Sequence, residues 1–236
     1  MSEDGKQSRL LPSFGRRKGR TLSKRRKYAM AEVFPKYRIP AQEEEAQLSL
    51  AQLFPGSTEH WLEIGFGGGE HLLAQAAEHP AIGMIGCEPF IDGVANCLDG
   101  VHQQACENIR VWPDDVRLLL PRLPAASLSK VFILYPDPWP KRRHHKRRLF
   151  NRELLAMLAR VMVPSAQLLL ATDHPGYSAW ALPYILESDD FMWEAQRCAD
   201  WQQPPVGWHE TRYERKCLAG KRPVYLSLQR ISNKAR

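Results

Sequence analysis

Residues Leu62 to Ala77 read LEIGFGGGEHLLAQAA: a short apolar run, four glycines within five positions, then a segment of helical period. An apolar run of strand length, broken by glycine and followed by a helix, is the sequence form of a strand-to-helix turn. Gly65, Gly67, Gly68 and Gly69 let a bare backbone approach a ligand, and the N-terminus of the next helix favours a negative group. The dinucleotide fingerprint G-x-G-x-x-G would require glycine at position 70, where this chain has Glu70, whose charge would face a pyrophosphate. The turn therefore reads as a nucleotide-type cradle in which NAD is disfavoured. By itself the loop is equally compatible with a structural turn.

Outward from this turn, strands and helices alternate. Strands are expected at His60–Ile64, Ile82–Cys87, Asn108–Trp112, Lys130–Tyr135, Gln167–Thr172, Met192–Gln196 and Val224–Gln229. Helices are expected at Gly68–Glu78, Phe90–Gln104, Val116–Arg122, Leu149–Val161 and Tyr177–Glu187, with helical spacing also over Glu43–Leu53. Short apolar runs separated by helix-period segments imply βαβ units and a mostly parallel sheet covered on both faces. The last strand follows a polar stretch, Asp200 to Pro223, without an evident helix, so it is free to pair antiparallel. That stretch is long enough to be either a functional loop or a misread element.

Acidic residues recur where the expected strands end. Glu63 closes the first strand, and Glu88 lies about twenty residues beyond the loop, where a carboxylate accepts from ribose hydroxyls. Asp115 follows the third strand and suits an adenine amino group, although either Asp114 or Asp115 can instead cap the next helix. Asp137 follows the fourth. Four acids at four successive strand ends suit a ligand without phosphates that carries an ammonium and a sulfonium. The pattern acid-x-G-x-G-x-G formed by Glu63, Gly65, Gly67 and Gly69 resembles motif I of the S-adenosyl-L-methionine-dependent class I methyltransferases. That resemblance implies a Rossmann-like α/β fold: a mostly parallel seven-stranded sheet with helices on both faces and an antiparallel last strand. It also implies S-adenosyl-L-methionine as methyl donor.

The run Pro136 to Phe150, PDPWPKRRHHKRRLF, joins an acid and an aromatic to eight consecutive basic or imidazole positions. Pro136, Pro138 and Pro140 fix φ and remove donors, so the segment leaves its strand as a stiff loop, the kind of place where function sits. Alone, Lys141 to Arg148 would be a solvated charge run. The chain carries a net charge of +7, and residues 1–38 hold twelve Lys or Arg against three acids, leaving the remainder slightly acidic. Residues 1–40 are read as a basic, flexible RNA-binding arm, and 41–236 as the catalytic domain. A merely solubilising tail and a nuclear-localisation signal are the competing readings of the arm. No apolar stretch approaches the roughly 20 residues of a membrane span, and no signal peptide is expected, which points to the cytoplasm. Five cysteines, odd in number and without a C-x-x-C pair, argue against a disulfide framework and against a zinc site; no metal is expected.

With PDPWPK (136–141), ATDHPGY (171–177) and TRYERK (211–216) in this order, the chain resembles the bacterial tRNA (guanine-N7-)-methyltransferase family over roughly Glu59 to Gln229. The resemblance implies 7-methylguanosine formation in the variable region of tRNA. It places Glu63, Glu88, Asp115 and Asp137 around the donor, and Lys141, Asp173, Thr211, Arg212, Tyr213 and Glu214 at the substrate. Guanine N7 has an in-plane lone pair and no proton to lose, so attack on the methyl needs alignment more than a base. Asp137 is accordingly the candidate catalytic residue, and the Cys and His residues are expected to be non-catalytic. Asp173 would accept from guanine N1–H and N2 while Lys141 neutralises phosphate or approaches O6, with the two roles interchangeable.

Arg142 to Arg148 and the arm would hold phosphates, and Trp139 or Tyr213 would stack on the base unless they are packing residues. Tyr177, Trp180 and Tyr184 recur at helical spacing and read as core. tRNA is the expected partner, with no membrane and no obligatory protein partner, the chain acting as monomer or homodimer. The rivals are an amino-nitrogen methyltransferase, disfavoured because the order is P-D-P-W and not D-P-P-W, a non-enzymatic RNA-binding protein, and an NAD oxidoreductase.

Overall fold

The computed structural model describes residues 17, 19, 21–41, 47–215 and 222–232. In chain order, α1 (Lys24–Tyr28) passes through a π-helical turn (Ala29–Val33) into α2 (Phe34–Tyr37), and α3 is Leu50–Leu53. Then come β1 (Glu59–Ile64), α4 (Glu70–Glu78), β2 (Ile82–Cys87), α5 (Ile91–Gln104), β3 (Ile109–Trp112) and α6 (Val116–Leu119) with a 3₁₀ turn. β4 (Leu128–Leu134), a 3₁₀ segment (Arg142–Arg147), α7 (Arg152–Val161), β5 (Met162–Thr172) and α8 (Pro175–Leu186) follow. The chain closes with β6 (Phe191–Trp193), α9 (Ala199–Gln202), α10 (Arg212–Arg215) and β7 (Val224–Arg230).

The seven strands form one sheet in the order β3-β2-β1-β4-β5-β7-β6. β1 to β5 are parallel, whereas β7 runs antiparallel to both β5 and β6. This is the expected α/β architecture with its antiparallel last strand. Both faces are apolar: Val131 and Ile133 of β4 face one buried cluster with α7 and α8, and Phe132 and Leu134 face the other with α4 and α5. That alternation without polar positions is why the parallel strands read as continuous apolar runs. Strand order reverses between β1 and β4, the crevice where open α/β sheets bind ligands.

Several boundaries differ from expectation, among them β6, which is Phe191–Trp193 and stops short of Gln196, and three have clear local reasons. β5 begins at Met162, five residues before the sequence suggests, because Pro164 and Ser165 sit in an irregular stretch where pairing with β4 shifts register. α7 begins at Arg152 and not at Leu149, because Asn151 caps it by accepting from Leu154 N at 2.9 Å. The expected Glu43–Leu53 helix is cut back to start at Leu50: residues 47–49 are not helical and Ser49 caps the helix by accepting from Gln52 N at 3.3 Å, while residues 43–46 lie outside the described residues.

The arm needs a larger correction. Residues 24–39 belong to the folded body: Ala29, Val33 and Ile39 are buried, and Ile39 N donates to Val111 O at 2.9 Å. An apolar stripe at Ala29 and Val33, four residues apart on one helical face, seats this segment on α5, and the sequence reading lumped it with the surrounding charge. The Arg25–Asp99 ion pair and a 2.8 Å bond from Arg26 Nη2 to Asn96 Oδ1 add to the contact. No helix among the described residues is long and apolar enough to cross a membrane.

Candidate active site

Gly65 and Gly67 adopt φ of 77° and 55°, a region that costs side-chain-bearing residues dearly, and a Cβ added at either would meet nothing within 4 Å. The loop therefore turns a bare backbone toward open cleft space. It is held from behind by Glu88, whose Oε2 accepts from Gly67 N and whose Oε1 accepts from Phe90 N, both at 2.8 Å. Gly93 of α5 lets the helix touch the loop, since a Cβ there would lie 2.3 Å from Gly67 O. Gly69, at φ 86°, starts α4 against Cys97.

Two clefts meet over this turn and share Gly65, Leu134 and Tyr135. The first, about 250 Å³, is lined by Glu88, Asp114, Asp115, Asp137, Trp139 and Arg147 among others. The second contains Glu63, Gly67, Glu70, His71, Thr211 and Tyr213. Glu63, Glu88, Asp115 and Asp137 are thus brought to one edge of the sheet. Burial raises the Glu88 carboxyl above its usual range despite its two backbone bonds, and Asp137 and Glu63 add repulsion. Asp137 stands open to the cleft, yet desolvation by the protein mass around its loop raises its pKa as well.

Asp115 turns out to be the helix cap. Its Oδ1 accepts from Arg117 N at 2.9 Å and Arg117 Nε at 3.0 Å, and Oδ2 accepts from Arg117 Nη2 at 2.6 Å. Burial alone would raise this carboxyl, but the bonds from Arg117 outweigh it and the net shift is downward. Asp114 instead pairs with Arg17 and accepts from Asp115 N at 2.7 Å.

The P-D-P-W-P loop is held in an uncommon conformation: Tyr135 and Trp139, neither a glycine, have φ of 51° and 41°. Arg148 pins it. This guanidinium, only 3% exposed, donates from Nε to Pro138 O at 2.9 Å and from Nη1 to Gly176 O at 2.8 Å, and lies over the Tyr177 and Trp180 rings. Arg148 is therefore structural, which corrects its expected place among the phosphate-binding arginines. Burial of its stem between two aromatic rings is a role that sequence cannot separate from its basic neighbours. Arg142, Arg143 and Lys146 are exposed, whereas Arg147 stacks on Trp139 with His144 at the ring edge. Trp139 is a packing residue as well as part of the cleft wall.

The substrate-side residues separate. Tyr213 stacks on Tyr135 at 5.1 Å, and desolvation, then Asp173 and Asp137, raise its hydroxyl pKa, so these three converge. Thr211 lines the second cleft, while Lys141 is exposed and lines neither. The Arg212 side chain lies outside what is described. Glu214 turns inward: it accepts from Trp208 Nε1 at 3.1 Å, Tyr225 Oη at 2.9 Å and Thr211 N at 2.7 Å, while Thr211 Oγ1 accepts from Glu214 N at 3.2 Å. T-x-x-E is a capping box, a signal legible in sequence that the reading of these residues as ligands passed over.

Sequence reasoning also missed His71, which is 2% exposed and bonds Glu63 at 2.8 Å. Tyr177 is fully buried as expected; Cys87, Cys97 and Cys106 are buried free thiols, Cys198 is exposed, and Cys217 lies outside the described residues. Among the described residues no group of three or more His, Cys, Asp or Glu is placed to hold a metal ion.

A family model described as "Putative methyltransferase" matches residues 57–227. The chain is 47% identical to the tRNA (guanine-N(7)-)-methyltransferase of Hyphomonas neptunium, over 93% of this chain and 99% of that protein. It is 44% identical to the enzyme of that name from Rhodospirillum rubrum, over 92% and 87% of the two chains, and 47% identical to that of Ruegeria pomeroyi, over 92% and 94%. Among solved structures, the 16S rRNA methyltransferase KamB superposes with a TM-score of 0.52 at 15% identity, covering 80% of this chain and 96% of its own. A precorrin-6y C5,15-methyltransferase from Geobacter metallireducens superposes with 0.51 at 14%, covering 77% and 85%. At such identities these two structures establish the fold alone.

Proposed function

The chain belongs to the tRNA (guanine-N(7)-)-methyltransferase family, and from that premise we infer that it transfers the methyl group of S-adenosyl-L-methionine to N7 of a guanosine in tRNA, forming 7-methylguanosine. We further propose that the guanosine lies in the variable region and that the two clefts over Gly65 are the donor site. The observation supporting the second point is that Glu63, Glu88, Asp115 and Asp137 converge on a glycine turn whose backbone faces open space. That donor set fits a cationic ligand without phosphates. When bound, the donor supplies an electrophilic methyl carbon on a positively charged sulfur.

Gly65, Gly67 and Gly69 bring the backbone against the ligand. Glu63 grips its amino-acid end, Glu88 accepts from the ribose hydroxyls with the lone pairs left after bonding Gly67 and Phe90, and Asp115 marks the adenine end. Asp137 fixes the donor's amino group and the target base in a near-attack geometry. N7 has no proton to lose, so alignment replaces general-base or metal assistance. Asp173 and Tyr213 meet the base, Thr211 with Arg212 and Glu214 shapes the entrance, and Lys141, Arg142, Arg143 and Lys146 neutralise phosphates. We propose that the enzyme acts in the cytoplasm as monomer or homodimer, without an obligatory protein partner.

The test is incubation with labelled donor and bulk tRNA, followed by nucleoside analysis. The expected product is 7-methylguanosine; a methylated exocyclic amino group would instead establish the amino-nitrogen rival. Asp137→Ala is expected to lower turnover by about a hundredfold or more. Near-normal activity in that variant would remove Asp137 from the mechanism.

A further inference from the structure

We propose that His71 is a positioning residue for methyl transfer: it orients the Glu63 carboxylate toward the donor, and it is itself held from the RNA side by Trp208. The inference rests on the assignment of Glu63 to the donor made above. His71 Nδ1 lies 2.8 Å from Glu63 Oε2, and the two residues are 2% and 3% exposed, so water contributes little to orienting the carboxylate. In a site this dry, whichever group bonds the carboxylate decides where its remaining lone pairs point.

The surrounding hydrogen bonds define the proton on the imidazole. Gln75 Nε2 donates to Gly207 O at 3.2 Å, which identifies that atom as the amide nitrogen, and it also lies 3.4 Å from His71 Nε2. An amide nitrogen only donates, so His71 Nε2 accepts and Nδ1 carries the proton that is given to Glu63. The ring thereby donates to Glu63 Oε2 through Nδ1 and fixes the plane in which the carboxylate meets the cleft.

The opposite side of the ring meets the segment expected to touch RNA. His71 packs edge-on against Phe132 at 4.8 Å and, tilted by 42°, against Trp208 at 5.5 Å. Trp208 Nε1 donates to Glu214 Oε1 at 3.1 Å, and Glu214 closes the capping box on Thr211. His71 thus stands between Glu63 on the donor side and Thr211–Glu214 on the substrate side, in contact with the first and one side chain removed from the second. A space-filling histidine would need neither a defined tautomer nor a bond to the one acid that lines the second cleft from β1.

Steady-state kinetics on the full chain with tRNA, with melting curves alongside, test this. His71→Phe keeps the ring against Phe132 and Trp208 but cannot donate. It is expected to raise KM for the donor about tenfold, the worth of one hydrogen bond to a charged group, with kcat at saturating donor and KM for tRNA within about twofold. His71→Asn, whose amide N–H can occupy the place of Nδ1–H, is expected to bring the donor KM back to within about threefold of the parent. An unchanged donor KM in His71→Phe, or a kcat loss that tracks melting temperature without rescue by Asn, would overturn the proposal. Glu63→Gln, measured by calorimetry with the donor, separates the two levels. Unaltered affinity there would overturn the assignment of Glu63 itself, whereas weakened affinity beside an unaffected His71→Phe would overturn only the role of His71.

Discussion

Carboxylates set the chemistry of this site, and their environments push them in opposite directions. Desolvation raises Glu88 and Asp137, while Arg117 holds Asp115 down against its own burial. Glu88 and Asp137 must be ionised to hold a cationic donor, so kcat/KM for the donor should fall on the acid side at a pH above that of an ordinary carboxylate near about 4. A pH–rate profile checks this, and Glu88→Gln should remove one of the two contributions; an acid limb at the unperturbed position would contradict it. The effect on folding has the reverse sense. A carboxyl raised in the folded state stabilises it below the unfolded pKa, and that contribution is lost as pH rises through the window up to the folded pKa. Asp115, being depressed, stabilises above its unfolded pKa and loses this as pH falls through its folded one.

Loops and helices are where the basic run divides into two roles. Arg148→Ala would leave Pro138 O and Gly176 O without their charged donor, so it should destabilise by about 2–4 kcal/mol in a denaturant melt. Arg142→Ala with Arg143→Ala should leave the melt unchanged, weaken tRNA binding, and flatten its salt dependence. Equal stability losses in the two cases would mean that burial does not distinguish these arginines. Gly93→Ala would force α5 off the glycine turn, because its Cβ would fall 2.3 Å from Gly67 O. A loss of about 1–3 kcal/mol together with weaker donor binding is expected, by melting and calorimetry. Within T-R-Y-E, Glu214 closes a capping box on Thr211. Glu214→Ala removes bonds to Trp208, Tyr225 and Thr211, so it should lower stability as well as raise KM for tRNA.

Across the whole molecule, charge and packing are interleaved at the N-terminus. Residues 1–38 carry more than the whole net positive charge of the chain, yet Ala29 and Val33 within them, and Ile39 directly after, are part of the core. Removing residues 1–16 should therefore weaken tRNA binding and reduce its salt slope with an unchanged melting temperature. Removing residues 1–38 should also expose the face of α5 and lower the melting temperature. Salt-dependent binding isotherms and thermal melts on both truncations check this, and identical melts would return residues 24–38 to the status of an appended arm.

The alternation of strands and helices, the glycine turn and the strand-end acids were legible in the chain itself, because each rests on local rules: hydrophobic period, the φ freedom of glycine, and the ends of parallel strands; the antiparallel last strand came only with the motif resemblance. Motif order carried the family. Tertiary structure alone decided what each polar group does once several compete for the same partners. Asp115 and not Asp114 caps α6, Arg148 is withdrawn from its basic neighbours, Glu214 turns inward, and His71 meets Glu63. Those outcomes depend on burial and on partners distant in sequence, so a residue's type and spacing place it at the site without saying whether its hydrogen bonds point to the ligand or to the protein.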